Sequence, residues 1–392
     1  MFKKKIVHIS LTPIAGAPIR LVNALNKYSD FEARLINLNP NHYGHRSFEE
    51  DLSWFKDKDQ CLDVIKKADI IHLHNYFNYT DSGNQFGFNL KEVAKENAVF
   101  IRQYHSVPGL INAKDDFLPT LVIPHNASRY YPLAKIVPNI IPENDINHLN
   151  IDKNNKRPLV IYTPSSKNSA FFSLYSRWDT KSYPEVLKIV KQAQKVVDFD
   201  FRVVTNTPHE ECLKLKQQAD IVIDDVATGS MHLSALEGLS QGAVVLSYLD
   251  NTVYNNFLNL TGSKELPVVN VRLKEMKQAL IDLVKDKDLR KDLSDYSRYW
   301  IENYYSEEKM IKHYIKAYDE LMSTGEIKVE SKFPLAEGFI REQVPEYSWS
   351  MLEKSYVFRY IWGSIKKSII LFVKKNKTLF VLAKGLKKCL KK

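Results

Sequence analysis

Short runs of β-branched and aliphatic residues alternate with longer helical patterns along most of this 392-residue sequence. No other feature limits the possible folds as strongly. The strand-like runs form two series, one at 6–9, 33–36, 70–73, 99–101 and 121–123, the other at 159–162, 201–204, 221–223, 244–246 and 268–271. Apolar residues at helical spacing lie between the runs. Strands that alternate with helices build sheets with helices on both faces, so the pattern predicts two α/β domains, each with a largely parallel sheet.

A polar stretch with few large apolar residues separates the two series. We therefore predict a first domain at 1–140, a linker at 141–156 and a second domain at 157–320. The last helix of the second domain is a candidate to cross back to the first. Ligands of parallel sheets bind at the carboxyl ends of the strands, so we expect a site in a cleft between the domains.

The charge of the chain is concentrated at its C-terminal end. The net charge is +10, but residues 354–392 contain eleven Lys, one Arg and no acid. This tail carries +12 and leaves −2 for the rest of the chain. An overall charge of +10 therefore gives little support to a nucleic-acid-binding class, and we expect no nucleic-acid partner.

The tail also has a helical apolar pattern, and a less regular segment at 321–353 connects it to the second domain. Apolar residues recur mostly three or four positions apart between the lysines, which is typical of a basic amphipathic helix on an anionic membrane surface. A solvated helix, RNA binding or a partner helix are the alternatives. No apolar run has the length of a signal peptide or a membrane span, and three cysteines are too few for a disulfide framework. We expect a cytoplasmic protein that is peripheral on the inner face of the cell membrane.

The turn after the first strand is rich in small residues. Gly16 and Ala17 would let a ligand approach the backbone, and Pro18 is well placed to open the next helix. The free N–H groups at a helix start favour phosphate. A plain strand–helix turn explains the same residues.

An acidic residue lies in an otherwise apolar helical segment of the second domain. Glu237 has Leu233, Leu236 and Leu239 as neighbours, and a small-residue turn containing Gly229 precedes them. A carboxylate there can accept two hydrogen bonds from the hydroxyl groups of a ribose. An exposed helical Glu is the alternative.

These segments resemble the nucleotide-sugar site of family 4 glycosyltransferases, which have the GT-B fold. The resemblance is carried by 219–224 together with 234–245, by the Asp-Ile-Ile-His strand at 69–72, by His105 and by the Val-Pro-Asn at 137–139. It covers about residues 5 to 320. It implies an α/β protein with two Rossmann-like domains facing a cleft, followed by the basic amphipathic tail.

The resemblance also implies roles for individual residues. Glu237 would bind the donor ribose, but the family's first Glu, eight positions earlier, is Gly229 here. Lys167 and Lys181 would grip the diphosphate, with Arg177 as a rival to Lys181. The other implied donor contacts are Gly16, Ala17, Ser166, Ser230 and Met231, together with Gly229 through its backbone. His105 would lie near the transferred sugar as a catalytic group, and Arg20, His72 and His74 are candidate acceptor or sugar contacts.

The expected function is transfer of a sugar from a nucleotide diphosphate sugar, UDP- or GDP-linked, to a membrane-associated glycan or lipid-linked acceptor. The family resemblance implies retention of anomeric configuration. Together with the basic tail, it predicts a role in bacterial surface polysaccharide biosynthesis, such as lipopolysaccharide or capsule. We expect no metal and no other cofactor. A GT-B nucleotide-sugar epimerase and a non-catalytic scaffold that binds glycan or a partner subunit are the alternatives.

Overall fold

The computed structural model describes residues 3–39, 48–75, 77–80, 84–106, 118–131, 133–164, 181–327 and 329. The described part contains two parallel β-sheets with helices packed against them. The α/β fold with two Rossmann-like sheets is therefore confirmed. Ser166, Lys167, Arg177 and the tail at 354–392 lie outside the described residues.

The first sheet has seven strands in the order β3-β2-β1-β4-β5-β6-β7, and every neighbouring pair is parallel. The strands are β1 (Lys4–Ser10), β2 (Phe31–Asn37), β3 (Leu52–Ser53), β4 (Ile70–His74), β5 (Val99–Tyr104), β6 (Thr120–Val122) and β7 (Lys135–Ile136). The helices of this part are α1 (Ala17–Tyr28), α2 (Lys58–Lys67) and α3 (Leu90–Val93). All five strands predicted in the first series are present. The additional strands β3 and β7 have two residues each, too few to form a recognisable run.

The second sheet has five parallel strands in the order β12-β11-β10-β8-β9. They are β8 (Leu159–Tyr162), β9 (Asp200–Val203), β10 (Ile221–Ile223), β11 (Val244–Ser247) and β12 (Val268–Asn270). The helices are α4 (Tyr183–Ala193), α5 (His209–Gln217), α6 (Leu233–Ser240), α7 (Asn251–Thr261), α8 (Leu273–Lys285), α9 (Lys287–Tyr304) and α10 (Glu307–Thr324). All five strands of the second series are confirmed.

Local sequence signals set several helix boundaries. The carboxylate of Asp250 accepts a hydrogen bond from the backbone N–H of Val253 and caps α7, and Gly262, at φ 68°, ends that helix in the left-handed region. Pro18 lies in the first turn of α1, where its missing N–H costs nothing. The starts of α1 and α7 fix where the loops at the carboxyl ends of β1 and β11 end, and Gly262 begins the loop that leads into β12.

The last helix, α10, packs against the first sheet although it follows the second sheet in sequence. The Tyr318 hydroxyl lies 2.7 Å from His72 Nδ1, and the Gln103 side chain donates to the Tyr314 hydroxyl at 2.8 Å. One apolar core includes Ile6 of β1, Val222 of β10 and several side chains of α9 and α10. A shared core of this kind limits the relative motion of the two sheets.

Within the described ranges, no helix combines the length and the apolar character needed to cross a bilayer.

Candidate functional site

A cavity of about 470 Å³ lies where the carboxyl ends of the two sheets face each other. The loops after β1, β5 and β6 supply one wall, and the loops after β8, β9 and β10 supply the other. Its polar lining includes His105, Ser106, His125, Asn139, Thr163, Lys181, Thr205, Asn206, Thr207, His209, Lys216, Ser230, His232, Ser234 and Glu237. This is the position that parallel-sheet topology favours for a ligand.

The turn after β1 has an unusual backbone where it meets the cavity. Ile14, Ala15 and Gly16 have φ values of 45°, 53° and 79°, so three consecutive residues are left-handed. Two of them carry side chains, for which this region is costly. A Cβ on Gly16 would lie 3.3 Å from the Phe48 ring, so the position suits glycine for both conformation and space. Ala17, at the start of α1, lines the cavity, whereas Gly16 does not.

Glu237 lies between two cationic side chains, Arg20 and Lys216, and a histidine ring. Arg20 Nη2 of α1 donates to its Oε1 at 2.7 Å, and His209 Nε2 lies 3.1 Å from the same oxygen. Lys216 of α5 donates to Oε2. Glu237 is 4% exposed and Lys216 is 1% exposed, so this is a buried ion cluster that joins the two sheets.

The cluster keeps the Glu237 carboxyl ionised. Burial by itself raises a carboxyl pKa, but here the positive charges of Lys216 and Arg20 outweigh it and hold the pKa of Glu237 well below its ordinary value. The carboxylate lines the cavity. Arg20 and His209 occupy both lone pairs of Oε1, and Lys216 occupies one lone pair of Oε2, so Glu237 can still accept one hydrogen bond from a ligand through Oε2.

Lys181 forms a second buried ion pair at the cavity wall. Its Nζ donates to Asp224 Oδ1 at 2.6 Å, and Asp224 Oδ2 accepts from the backbone N–H of His232 at 2.8 Å. Burial raises the pKa of Asp224, but Lys181 and His232 outweigh it and the pKa lies below its ordinary value. Asp224 therefore holds Lys181 beside the turn that leads into α6.

The start of α6 opens onto the same cavity. Leu233 and Ser234 line it, and the His232 side chain makes no capping hydrogen bond to the helix among the described residues. The Ser234 and Thr163 hydroxyl groups lie 2.5 Å apart and connect this helix start to the end of β8. Unpaired N–H groups and the positive end of the helix dipole favour an anion here, close to the charge of Lys181.

Two neutral imidazoles lie on the first-sheet side of the cavity. Burial lowers the pKa of His105 and of His125 to about 3. Asn75 accepts a hydrogen bond from the His105 backbone N–H at 2.8 Å, and Asn139 lies 2.7 Å from His125 Nε2. The neutral imidazole of His105 can exchange hydrogen bonds with a sugar hydroxyl group, whereas His125 Nδ1 is buried and His125 Nε2 is already bonded to Asn139.

Gly229 lies beside a contact between the two sheets. Its φ is 78°, and a Cβ there would lie 3.0 Å from Asp250 Oδ2. Arg129 Nη2 donates to the Gly229 carbonyl at 3.2 Å and also pairs with the Asp250 carboxylate. A glutamate at 229, as the family pattern would have it, would fit neither this backbone conformation nor this space.

The remaining predicted site residues are placed as follows. Ser230 lines the cavity, whereas the Met231 side chain is fully buried in the apolar core. His72 and His74 are fully buried and do not line the cavity, so neither side chain can contact a ligand there as placed. Arg20 contacts Glu237 and lies behind the cavity wall.

Lys216 is a residue of the site that was not predicted from the sequence. Its signal is the spacing of α5, where His209, Leu213 and Lys216 fall on one helical face. Leu213 marks that face as the buried one, so a lysine on it needs a counter-ion. Nothing in the local sequence identifies that counter-ion as Glu237.

Comparison of the sequence with known protein families finds no match, and comparison with curated proteins finds none either. Solved structures do match. A glycosyltransferase from Rickettsia africae is 12% identical with a TM-score of 0.50, over 82% of this chain and 99% of that one. An α-glucosyltransferase solved with UDP and a DNA 13-mer is 9% identical with a TM-score of 0.51, over 82% and 100%. The O-GlcNAc transferase of Thermobaculum terrenum is 12% identical with a TM-score of 0.50, over 82% and 68%.

These likenesses concern the fold. The α-glucosyltransferase was solved with DNA, so the fold does not exclude nucleic acid, and the expectation of no nucleic-acid partner is not confirmed. The two parallel sheets of this chain and the helices packed on them match these neighbours. The chain therefore has the fold of the GT-B glycosyltransferases.

Proposed function

We propose that this protein is a glycosyltransferase that moves a sugar from a nucleotide diphosphate sugar to an acceptor hydroxyl group. One observation carries the proposal. The carboxyl ends of both sheets meet at one cavity, and a buried lysine, the start of helix α6 and a buried carboxylate line it together. Groups that bind anions and hydroxyl groups, placed in this cavity of this fold, can bind the diphosphate and the hydroxyl groups of such a donor.

The diphosphate would lie against Lys181 and the start of α6. Breaking the sugar–phosphate bond develops negative charge on the leaving diphosphate, and fixed positive groups stabilise that charge where it forms. Asp224 keeps the Lys181 ammonium in place before the donor arrives. We propose that Ser166 and Lys167 add contacts from the segment before Lys181.

The ribose of the donor would bind Glu237. The carboxylate is ionised and lines the cavity, so its Oε2 can accept from one ribose hydroxyl group while Arg20, His209 and Lys216 hold it in place. Solved structures of the same fold support a nucleotide donor, because the α-glucosyltransferase neighbours were solved with UDP and with UDP-glucose.

The transferred sugar would lie on the first-sheet side, near His105. We propose transfer with retention and without a metal ion, and an acceptor that is a membrane-associated glycan or lipid-linked sugar in bacterial surface polysaccharide synthesis. The basic tail at 354–392 supports a membrane location through its charge and apolar spacing. Deleting it should abolish binding to anionic vesicles, and persistent binding would contradict this part.

Turnover with a panel of UDP- and GDP-sugars tests the enzymatic proposal. We expect the protein to consume one of these donors, slowly with water and faster with an acceptor. We expect this activity to persist in the presence of a metal chelator. Lys181→Met should lower kcat/KM for the donor about 100-fold or more, since it removes a charge aimed at the leaving group. The exposed Lys188 of α4 offers a matched control, and Lys188→Met should retain activity.

A non-catalytic scaffold is the second candidate because of Gly229, which stands where the family pattern has a donor-binding glutamate. Under that alternative no donor turns over, and a glycan or a partner subunit binds equally well to wild type and to Lys181→Met.

A further inference from the structure

Three histidine rings form a hydrogen-bonded row that leads from the cavity into the first sheet. His105 Nε2 lies 2.9 Å from His74 Nδ1, and His74 Nε2 lies 3.0 Å from His8 Nδ1. His105 lines the cavity, whereas His74 and His8 are fully buried. The row is placed by topology, because β1, β4 and β5 are adjacent parallel strands whose carboxyl ends lie together.

A metal site is the first alternative for this cluster. Single ring nitrogens of His8, His72 and His74 lie within 4.8 Å of one another. His72 and His74, however, are stacked, with ring centroids 4.4 Å apart and planes only 11° from parallel. Imidazole lone pairs lie in the ring plane, so two rings stacked face to face cannot both aim a lone pair at one ion. The described geometry therefore favours a hydrogen-bond chain.

Each of the three histidine rings of this row carries a single ring N–H proton. Burial lowers the pKa of His8 and of His105 to about 3, and it lowers the pKa of His74 well below its ordinary value. A neutral imidazole has one donor nitrogen and one acceptor nitrogen. His74 must therefore donate one of its two bonds and accept the other, so both hydrogen bonds run in the same direction.

His8, at the buried end of the row, determines the direction in which the two hydrogen bonds run. His8 Nε2 is buried and finds no hydrogen-bond partner among the described residues. An orphaned buried N–H is rarer in proteins than an under-used acceptor. The proton of His8 is therefore assigned to Nδ1, where it donates to His74. His74 in turn donates through Nδ1 to His105 Nε2.

We propose that His8 and His74 are positioning residues that keep the proton of His105 on Nδ1. His74 occupies Nε2, so Nδ1 is the ring nitrogen left for the cavity. His105 then acts as a hydrogen-bond donor to an oxygen atom of the bound sugar or phosphate. The catalytic meaning of this inference rests on the proposed function, whereas the protonation pattern does not.

The test reads the protonation of His105 directly. Full-length protein with 15N-labelled histidine is studied by NMR of the ring nitrogens at mildly alkaline pH, and a His105→Gln spectrum assigns the His105 signals. Wild type should show the proton on Nδ1. In His8→Asp the new carboxylate can only accept, so the chain should reverse and the His105 proton should move to Nε2. His8→Asn, whose amide can still donate to His74, should keep the wild-type pattern.

A variant closer to His105 covers the case in which His8→Asp does not fold. His74→Asp places an acceptor directly against His105 Nε2 and should move the proton to that nitrogen. His72→Asn is the control, since His72 stacks on His74 but bonds to Tyr318 instead of His105. A wild-type His105 protonated on Nε2, or an unchanged His105 in both Asp variants, would overturn the proposal.

Kinetics then separate this inference from the proposed function. With a donor that the wild type turns over, His8→Asp should lower kcat about tenfold, which corresponds to the loss of one hydrogen bond, and should leave the KM for the donor little changed. His8→Asn should have the kcat and KM of the wild type. An unchanged kcat in a His8→Asp protein whose His105 proton has moved would overturn the donor role of His105. The predicted NMR pattern without turnover of any donor would support the chain and count against the glycosyltransferase.

Discussion

Replacing Glu237 by glutamine should destabilise the whole protein as well as weaken donor binding. The substitution keeps the size of the side chain and removes its charge. Arg20 and Lys216 then lose their counter-ion, and their side chains are only 8% and 1% exposed. Removing one partner of a buried ion pair costs about 3–5 kcal/mol, because the remaining charge stays desolvated. We expect a loss of stability of about that size.

Urea unfolding at neutral pH measures this effect. Glu210→Gln is the matched control, since Glu210 pairs with Lys214 on the exposed side of α5, and it should leave the unfolding midpoint unchanged. Adding Lys216→Met to Glu237→Gln removes one of the stranded cations. The double variant should recover at least about 1 kcal/mol relative to the sum of the single changes. A Glu237→Gln protein as stable as wild type would refute the view that this carboxylate balances the buried cations.

Three further predictions follow from the same contacts. The folded pKa of Glu237 lies below its ordinary value of 4.5, so its stabilising effect is full above that pH and is lost as the pH falls further. In acid titrations the difference between wild type and Glu237→Gln should shrink below about pH 4.5, and a difference that grows there would contradict the sign. Asp224→Asn should lower kcat/KM for the donor at least about tenfold, because Lys181 loses a charged hydrogen bond. Activity equal to wild type would show that Asp224 is not needed to position the Lys181 ammonium group. Gly229→Ala should cost about 1–3 kcal/mol in a thermal or urea melt because φ is 78° and Asp250 is close, whereas the exposed Gly87→Ala, with a similar φ and open space, should cost less.

The strands and the position of the site could be predicted from the sequence. Runs such as 70–73 and 221–223 are short, apolar and β-branched, and parallel sheets bury strands of this kind on both faces. Because parallel strands bring their carboxyl ends together, the residues that follow them were expected near one another. His105, Lys181 and Glu237 do lie around one cavity.

The partners of those residues could not be predicted. Arg20 and Glu237 are 217 positions apart, and only the packing of α1 near α6 brings them together. Side chains alternate between the two faces of a strand, so His72 and His74 can be placed on one face of β4 from the sequence. The sequence does not predict which element packs on that face. The structure covers it with α10, whose Tyr318 reaches His72 from 246 positions away.

The proposed function requires the cavity to bind the nucleotide diphosphate part of a sugar donor. A crystal structure of the full chain with UDP or GDP would show whether it does. We expect the diphosphate within hydrogen-bond distance of Lys181 Nζ and the first N–H groups of α6, with one ribose hydroxyl group on Glu237. A nucleotide bound elsewhere, or a cavity that stays empty at saturating UDP and GDP, would contradict it.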